Sequence, residues 1–186
     1  MKASISYPPI EISKGVPLLS QNRQFQYFSE PTYVYPMVPA YATSLLKEAG
    51  YIWNDAVAEE KTYKQWLREV ESIRPDVMMV KTKTPVVKRH WSTIEDVKEV
   101  SPDTSVVLVG DHVTALPKES IENSKADYVL TEDYDFLLLN LVEYLDGKLR
   151  SLEPRIWYRK NSEIKTTGDF VLNHDLNNLP FNRPLW

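Results

Sequence analysis

The 186-residue chain contains no cysteine and only five glycines. The absence of cysteine excludes disulfides, thiolate nucleophiles, cysteine-based zinc sites and iron–sulfur ligation within this sequence. No apolar run approaches the ~20 residues of a membrane span, and the N-terminus lacks the apolar segment of a secretory signal. P-loop, G-x-G-x-x-G and Ser-His-Asp patterns are also missing, so we expect no catalysis from this chain alone.

The composition is that of a soluble globular protein, with 42% hydrophobic and 26% charged residues. The formal charge of -4 argues against nucleic acid as a partner, because phosphate recognition usually needs a basic face. We therefore expect a cytoplasmic protein with neither a nucleic-acid nor a membrane partner.

The stretch SVVLVGDHVTAL, residues 105–116, organises the rest of the chain. Its continuous apolar run, Val106–Val109, is typical of a strand that is covered on both faces. Gly110 then allows backbone to approach a turn or a ligand closely, since it has no Cβ. Ligands of open parallel sheets lie outside the carboxyl ends of the strands, so Gly110–Thr114 is predicted to line any binding site.

Strands alternate with helices along the first part of the chain, which predicts right-handed βαβ crossovers and a parallel sheet. Thr62 and Gln65 form a capping-box pattern at the start of one helix. The predicted strands are Ala3–Tyr7, Tyr51–Val57, Asp76–Val80, Val106–Val109 and Ala126–Leu130, and the predicted helices are Val38–Ala49, Thr62–Ile73, Val87–Val100, Lys118–Asn123 and Leu137–Leu145. This pattern favours an α/β, flavodoxin-like (Rossmann-like), doubly wound five-stranded sheet of order 2-1-3-4-5.

Two regions depart from this alternation. Glu11–Pro39 is rich in tyrosine and proline without a clear period, and we expect an ordered loop over the strand ends. Near residue 148 the pattern changes, and Arg155–Lys160 and Glu163–Thr167 flank Asn161-Ser162 as in a hairpin. We therefore predict a domain over residues 1–148 and a β-hairpin appendage with a linker over residues 149–186.

The order of WLREVESIRPDVMMV, VKEVSPDTSVVLVGDHVTALP, ADYVLTED and IWYRKNSEIKTT, followed by DLNNLPF, resembles the N-terminal cobalamin (B12)-binding domain of radical SAM enzymes. That family includes anaerobic magnesium-protoporphyrin IX monomethyl ester cyclases and B12-dependent radical SAM methyltransferases. The resemblance implies cobalamin as cofactor and a radical SAM domain as partner, in the same or a parent chain. The iron–sulfur cluster and SAM would bind only in that C-terminal domain.

The resemblance also assigns cofactor-binding positions, all in loops after the predicted strands. It implies no catalytic or metal-binding residue in this chain. The implied positions are Tyr7, Pro8 and Pro9 after the first strand, Asp55 after the second, Thr82 and Thr84 after the third, Gly110, His112 and Thr114 after the fourth, and Thr131 and Glu132 after the fifth.

Two departures from the family pattern keep a second reading open. Asp111 stands where the family has a second glycine, and the glycines expected around Thr131–Asp135 are replaced by larger residues. Side chains there obstruct a ligand that needs bare backbone. The alternative is a degenerate B12-binding-like domain that has lost cobalamin and serves in docking or substrate recognition.

Several of these residues also have a simpler structural interpretation. His112 is either a ligand-facing imidazole or a turn histidine bonded to local backbone, and Asp111 and Thr114 either bind or cap the turn. His90 is expected at the surface. Lys81 and Lys83 are expected at a solvated rim, although they could instead meet a phosphate or carboxylate. The carboxylates of Glu132, Asp133 and Asp135 either bind a cation or favour the start of a helix through its dipole.

Overall fold

The computed structural model of the chain describes residues 1–10, 16–18, 26–28, 37–50, 61–169, 174–175 and 177. The strands are β1 (Ala3–Ser6), β2 (Val16–Leu18), β3 (Gln26–Phe28), β4 (Val77–Lys81), β5 (Ser105–Val109), β6 (Tyr128–Leu130), β7 (Ile156–Lys160) and β8 (Glu163–Thr166). The helices are α1 (Met37–Glu48), α2 (Tyr63–Ile73), α3 (Val87–Val100), α4 (Asp111–Ala115), α5 (Pro117–Glu122) and α6 (Tyr134–Leu145), with a 3₁₀ turn at Thr84–Val86.

Within the described residues, a six-stranded sheet of order β1-β4-β5-β6-β7-β8 forms the centre of the protein. Its first four strands are parallel. They correspond to the first, third, fourth and fifth predicted strands and follow one another as 1-3-4-5. The predicted second strand, Tyr51–Val57, lies outside the described residues, so the full order 2-1-3-4-5 and the five-strand count stay predictions.

The C-terminal hairpin continues the main sheet, which corrects the expectation of an appendage beside an all-parallel sheet. Strand β7 pairs antiparallel with β6, and β8 pairs antiparallel with β7. The turn residues Asn161 and Ser162 have φ values of 53° and 65°, as a two-residue type I′ turn requires. The physical reason for the pairing is that the open edge of β6 exposes unpaired backbone groups, which the hairpin covers. The domain boundary near residue 148 stays a prediction.

The parallel strands are covered by apolar residues on both faces. Along β4, Val77 and Met79 pack on the face of α1 and α6, whereas Met78 and Val80 pack on the face of α2 and α3. Residues Val106–Val109 of β5 have no exposed surface. Burying each of these side chains contributes about 1.5–3 kcal/mol relative to exposure, which explains the continuous apolar run.

Local signals set the helix boundaries. The predicted capping box forms at α2, where the Thr62 side chain accepts a hydrogen bond from the Gln65 backbone N–H and the Gln65 side chain accepts one from the Thr62 N–H. The short helix predicted at Lys118–Asn123 is α5. The turn predicted after Gly110 is the five-residue helix α4.

Within the predicted aromatic loop Glu11–Pro39, the described residues form the antiparallel pair of β2 and β3 and the start of α1. The rest of that loop lies outside the described residues, as does most of the tail after residue 169. None of the helices described is long and apolar enough to cross a membrane.

Candidate functional site at the carboxyl edge of the sheet

The loops that follow β1, β4, β5 and β6 meet at one edge of the sheet, here called the carboxyl edge. Because these strands are parallel, residues 7–10, 82–86, 110–116 and 131–134 lie together there. Every predicted site residue except Asp55 falls in these loops, and Asp55 lies outside the described residues. The side chains of Tyr7, Pro8 and Pro9 are buried beside β1.

Gly110 is required by the neighbouring backbone. Its φ is 115°, and a Cβ atom at this position would lie 2.4 Å from the carbonyl oxygen of Thr82. The Thr82 N–H donates a hydrogen bond of 2.9 Å to the carbonyl of Val109. The close approach that the sequence predicts at this glycine is therefore an approach of two adjacent strand ends.

Two threonines after β4 each hold a histidine. The Thr82 hydroxyl lies 2.9 Å from Nδ1 of His90, and the Thr84 hydroxyl lies 3.1 Å from Nδ1 of His112. His90 has no exposed surface, so the expectation that it lies at the surface is wrong. Burial lowers the pKa of His90 to about 4, which keeps the imidazole neutral.

The helical period of α3 could have revealed the burial of His90. Residues 87, 90, 94 and 97 repeat at the spacing of one helix face, and all four are buried. A polar residue on such a helix face can be buried in the core if the fold supplies a hydrogen-bond partner. For His90 that partner is Thr82, in the loop after β4.

His112 is the most notable polar group at this edge. Its side chain is only 6% exposed, and its Nε2 atom is buried with no hydrogen-bond partner in the part of the chain that the structure describes. The ring contacts Trp91 edge-on, with centroids 6.4 Å apart. The observed partner of Nδ1 is the side chain of Thr84, which is 28 residues away in the sequence. His112 is therefore not a turn histidine bonded to local backbone. A neutral imidazole nitrogen in this position can donate to or accept from a ligand.

Lys81 and Lys83 are buried at the end of β4, with 8% and 4% exposure. The expectation of a solvated rim is therefore wrong for both. Burial lowers the pKa of Lys81 to about 8, an effect that the Lys83 charge adds to and that Asp111 and Asp135 oppose. The pKa of Lys83 is lowered mainly by burial as well, and Asp111 opposes this shift. The sequence alternation of charge and threonine does not reveal this burial.

Two further residues of this edge lie at the start of α6, Tyr134, to which sequence reasoning assigned no site role, and Asp135, which it considered only as part of a cation site. The hydroxyl of Tyr134 and the Oδ1 atom of Asp135 are buried without a hydrogen-bond partner among the described residues. Burial, reinforced by the charge of Asp133 and opposed by Lys81, raises the pKa of Asp135 to about 7. Burial also raises the pKa of Tyr134 well above its usual value, so its phenol stays neutral.

The remaining predicted residues connect the loops to one another. The Thr114 hydroxyl accepts a hydrogen bond of 2.9 Å from the Glu132 backbone N–H, and the Thr131 hydroxyl donates one of 3.2 Å to the carbonyl of Arg155. The Glu132 carboxylate pairs with the buried Arg155 guanidinium at 2.8 Å. Glu132 has a φ of 60°, a conformation that favours glycine.

These contacts bear on two roles that the sequence suggested, a turn cap formed by Thr114 and a cation site formed by Glu132, Asp133 and Asp135. Thr114 contacts the loop after β6, and α4 has no side-chain cap among the residues described. In the same part of the chain, no three His, Asp or Glu side chains are grouped as a metal site would require. The carboxylate of Glu132 instead forms an ion pair with Arg155, and the Oδ1 atom of Asp135 is buried.

Two solved structures that this fold resembles are of radical S-adenosylmethionine enzymes with cobalamin bound. The radical S-adenosylmethionine methyltransferase TsrM from Kitasatospora setae, solved with cobalamin and a 4Fe-4S cluster bound, matches 90% of this chain and 31% of its own with a TM-score of 0.65 and 15% identity. OxsB, a cobalamin-dependent S-adenosylmethionine radical enzyme solved with aqua-cobalamin and S-adenosylmethionine, matches 92% of this chain and 22% of its own with a TM-score of 0.68 and 12% identity.

The sequence itself is similar to two named cyclases. Anaerobic magnesium-protoporphyrin IX monomethyl ester cyclase of Rubrivivax gelatinosus is 30% identical over 115 residues, which are 60% of this chain and 21% of the cyclase. The enzyme of the same name from Cereibacter sphaeroides is 26% identical over 112 residues, 58% of this chain and 18% of its own. The chain spans about a fifth of the length of these relatives.

These similarities confirm the resemblance that the sequence motifs indicate, and the fold resembles part of TsrM and OxsB, which were solved with cobalamin bound. No protein-family profile matches the chain.

Proposed function

We propose that this chain is a cobalamin-binding module that holds the corrin at the carboxyl edge of the sheet, next to a radical SAM domain. The observation that carries the proposal is the buried Nε2 atom of His112, which has no hydrogen-bond partner in the described part of the chain. A buried polar atom without a partner costs about 1–3 kcal/mol, so a ligand that bonds to it gains affinity.

The residues of this edge suit a ligand with many amide groups. Asp135 Oδ1 can accept from an amide N–H, whereas the Tyr134 hydroxyl can donate to an amide carbonyl. In this proposal the hydroxyls of Thr82 and Thr84 orient the imidazoles of His90 and His112. The contacts of Thr114, Thr131 and Glu132 hold the loops around the ligand. Tyr7, Pro8, Pro9 and Gly110 form rigid walls.

When bound, cobalamin would supply methyl-transfer or radical chemistry, while the protein would orient it and set its surroundings. Because this chain has no cysteine, an iron–sulfur cluster and SAM would belong to the neighbouring domain. His112 would place its Nε2 atom against the ligand, and the contact of Nδ1 with Thr84 would hold the ring in orientation.

A titration with hydroxocobalamin, followed by the visible spectrum and by calorimetry, tests this proposal. The matched variants are His112→Ala and His174→Ala, since His174 lies in the tail, where it pairs with Glu153. We expect saturable binding by the unaltered chain and by His174→Ala, and about tenfold weaker binding by His112→Ala. Absence of binding by a protein that circular dichroism shows to be folded would refute the proposal.

One observation favours the second candidate, a module that has lost cobalamin and serves in docking or substrate recognition. The Tyr134 side chain is 4% exposed and packs into the hydrophobic core at the carboxyl edge, where a ligand would need space. If the unaltered chain fails to bind hydroxocobalamin and Tyr134→Ala binds it, this second function is favoured.

A further inference from the structure

A cleft lies beside β6 and β7, apart from the candidate site. It has a volume of about 250 Å³ and is formed by the end of α6, the connection to β7, and the paired strands β6 and β7. Tyr128, the first residue of β6, contributes to its wall. None of the residues that line the cleft belongs to the proposed cobalamin site, so the two sites are separate.

Three tyrosines give this cleft aromatic surface and hydroxyl groups. Tyr128 and Tyr158 are register partners on β6 and β7, and their rings stack with centroids 6.5 Å apart and planes at 21°. The pKa of Tyr128 is raised by burial and then by Asp127, Tyr144 and Tyr158, which places the three phenol groups near one another. All three phenols can donate hydrogen bonds into the cleft.

The charged residues that line the cleft are all basic, although the chain as a whole has a formal charge of -4. The Arg159 guanidinium already has partners within the protein, because it donates hydrogen bonds to the carbonyl oxygens of Ala126, Ile121 and Ser124. The other two basic residues of the lining, Arg150 and Lys160, form no ion pair within the residues described. The lining thus carries cationic side chains and no carboxylate, which suits an anionic ligand.

We propose that this cleft binds a small aromatic molecule that carries one anionic group, a carboxylate or a phosphate ester. The ring packs beside the stacked pair of Tyr128 and Tyr158, and the anionic oxygens accept hydrogen bonds from Arg150, Lys160 and the phenols. The volume accommodates a single ring with its substituent, since drug-sized ligands occupy pockets of about 300–1,000 Å³.

Titrations of the full chain, followed by NMR chemical shifts of the tyrosine rings, test this site with four probes. Phenyl phosphate and benzoate represent the two anionic groups, benzamide is the neutral ring, and inorganic phosphate is the anion alone. We expect one of the two aromatic anions to bind at least about tenfold more tightly than both benzamide and inorganic phosphate. The preferred aromatic anion identifies the anionic group.

The variant Arg150→Gln/Lys160→Gln should weaken binding of the preferred anion at least about tenfold. Lys118→Gln is the matched control, because Lys118 is exposed on α5 and, among the described residues, its ion pair is with Glu122 at 3.7 Å. It should bind like the unaltered chain. Equal affinity of the double variant and the unaltered chain, or no saturable binding of either aromatic anion, would overturn the proposal. If inorganic phosphate bound as tightly as phenyl phosphate, the aromatic ring would contribute no affinity, and the proposal of an aromatic ligand would be wrong.

Discussion

The carbonyl oxygen of Thr82 lies 2.4 Å from the position that a Cβ atom on Gly110 would occupy. The ends of β4 and β5 therefore meet through a glycine, and this contact fixes the loops that carry His112 and Thr84. The glycine serves the scaffold of the candidate site, whatever ligand the site takes.

Gly110→Ala should destabilise the protein strongly. The substitution places a methyl group against backbone and forces a non-glycine residue to a φ of 115°, so the free energy of unfolding should fall by about 3 kcal/mol. Gly50→Ala is the control, because Gly50 has a φ of 90° with nothing within 4 Å of its Cβ position. Urea unfolding should show a loss of about 1 kcal/mol there. Equal losses at the two glycines would contradict the close contact.

Thr82→Val should also destabilise the protein, through His90. The valine has nearly the same shape but leaves Nδ1 of a fully buried imidazole without its partner, which costs about 1–3 kcal/mol. The double variant Thr82→Val/His90→Leu removes both partners and should recover part of this loss in denaturant unfolding. Strictly additive losses in the two single variants and the double variant would show that the hydrogen bond contributes nothing.

Tyr134→Phe should stabilise the ligand-free protein by about 1 kcal/mol, because it removes a buried hydroxyl that has no partner among the described residues. Tyr63→Phe is the contrasting control, since the Tyr63 hydroxyl donates to Asp96 at 2.5 Å and its loss should destabilise. Thermal unfolding distinguishes the two directions. If the proposed function holds, Tyr134→Phe should also weaken hydroxocobalamin binding, because the ligand loses a hydrogen-bond donor. A Tyr134→Phe variant that is less stable and binds hydroxocobalamin unchanged would contradict the role of this hydroxyl as a donor to the ligand.

Stability should vary with pH through Asp135 and Lys81. The pKa of Asp135 is raised to about 7, above an unfolded value of about 4, so the folded state holds the extra proton and the free energy of unfolding falls as pH rises from about 4 to about 7. The pKa of Lys81 is lowered to about 8, so the unfolded state holds the extra proton above that pH and stability rises again from about 8 to about 10. Together these groups place a stability minimum between pH 7 and 8.

Asp135→Asn should remove the decline between about pH 4 and pH 7, which amounts to on the order of 3 kcal/mol. Asp103→Asn, at an exposed position in the loop before β5, is the control and should retain the decline. Urea unfolding at a series of pH values measures both slopes. A slope that persists unchanged in Asp135→Asn would show that other groups cause it.

Local patterns predicted the elements well, because a helix or strand repeats with a period that neighbouring residues encode. The apolar run of β5, the capping box of α2 and the Asn161-Ser162 turn all form as their sequences indicate. The same patterns placed Thr82, Thr84, His112 and Thr114 at one edge, since parallel strands end on the same side. The motifs also indicated the family resemblance that the comparisons bear out.

The burial and pairing of polar side chains required the tertiary structure. Lys81 and Lys83 have charged side chains, and the sequence predicts them at a solvated rim, yet neighbouring elements enclose both. The period of α3 is compatible with a buried His90, but only the fold supplies its partner Thr82. The partner of His112 is 28 residues away in the chain, and no local period specifies a contact of that kind. The attachment of β7 to β6 likewise depends on a free strand edge that exists only once the sheet has assembled. The sequence by itself thus determined the elements and the edge that carries the candidate site, whereas packing between distant segments decided which polar atoms of the described residues have a partner and which are buried without one.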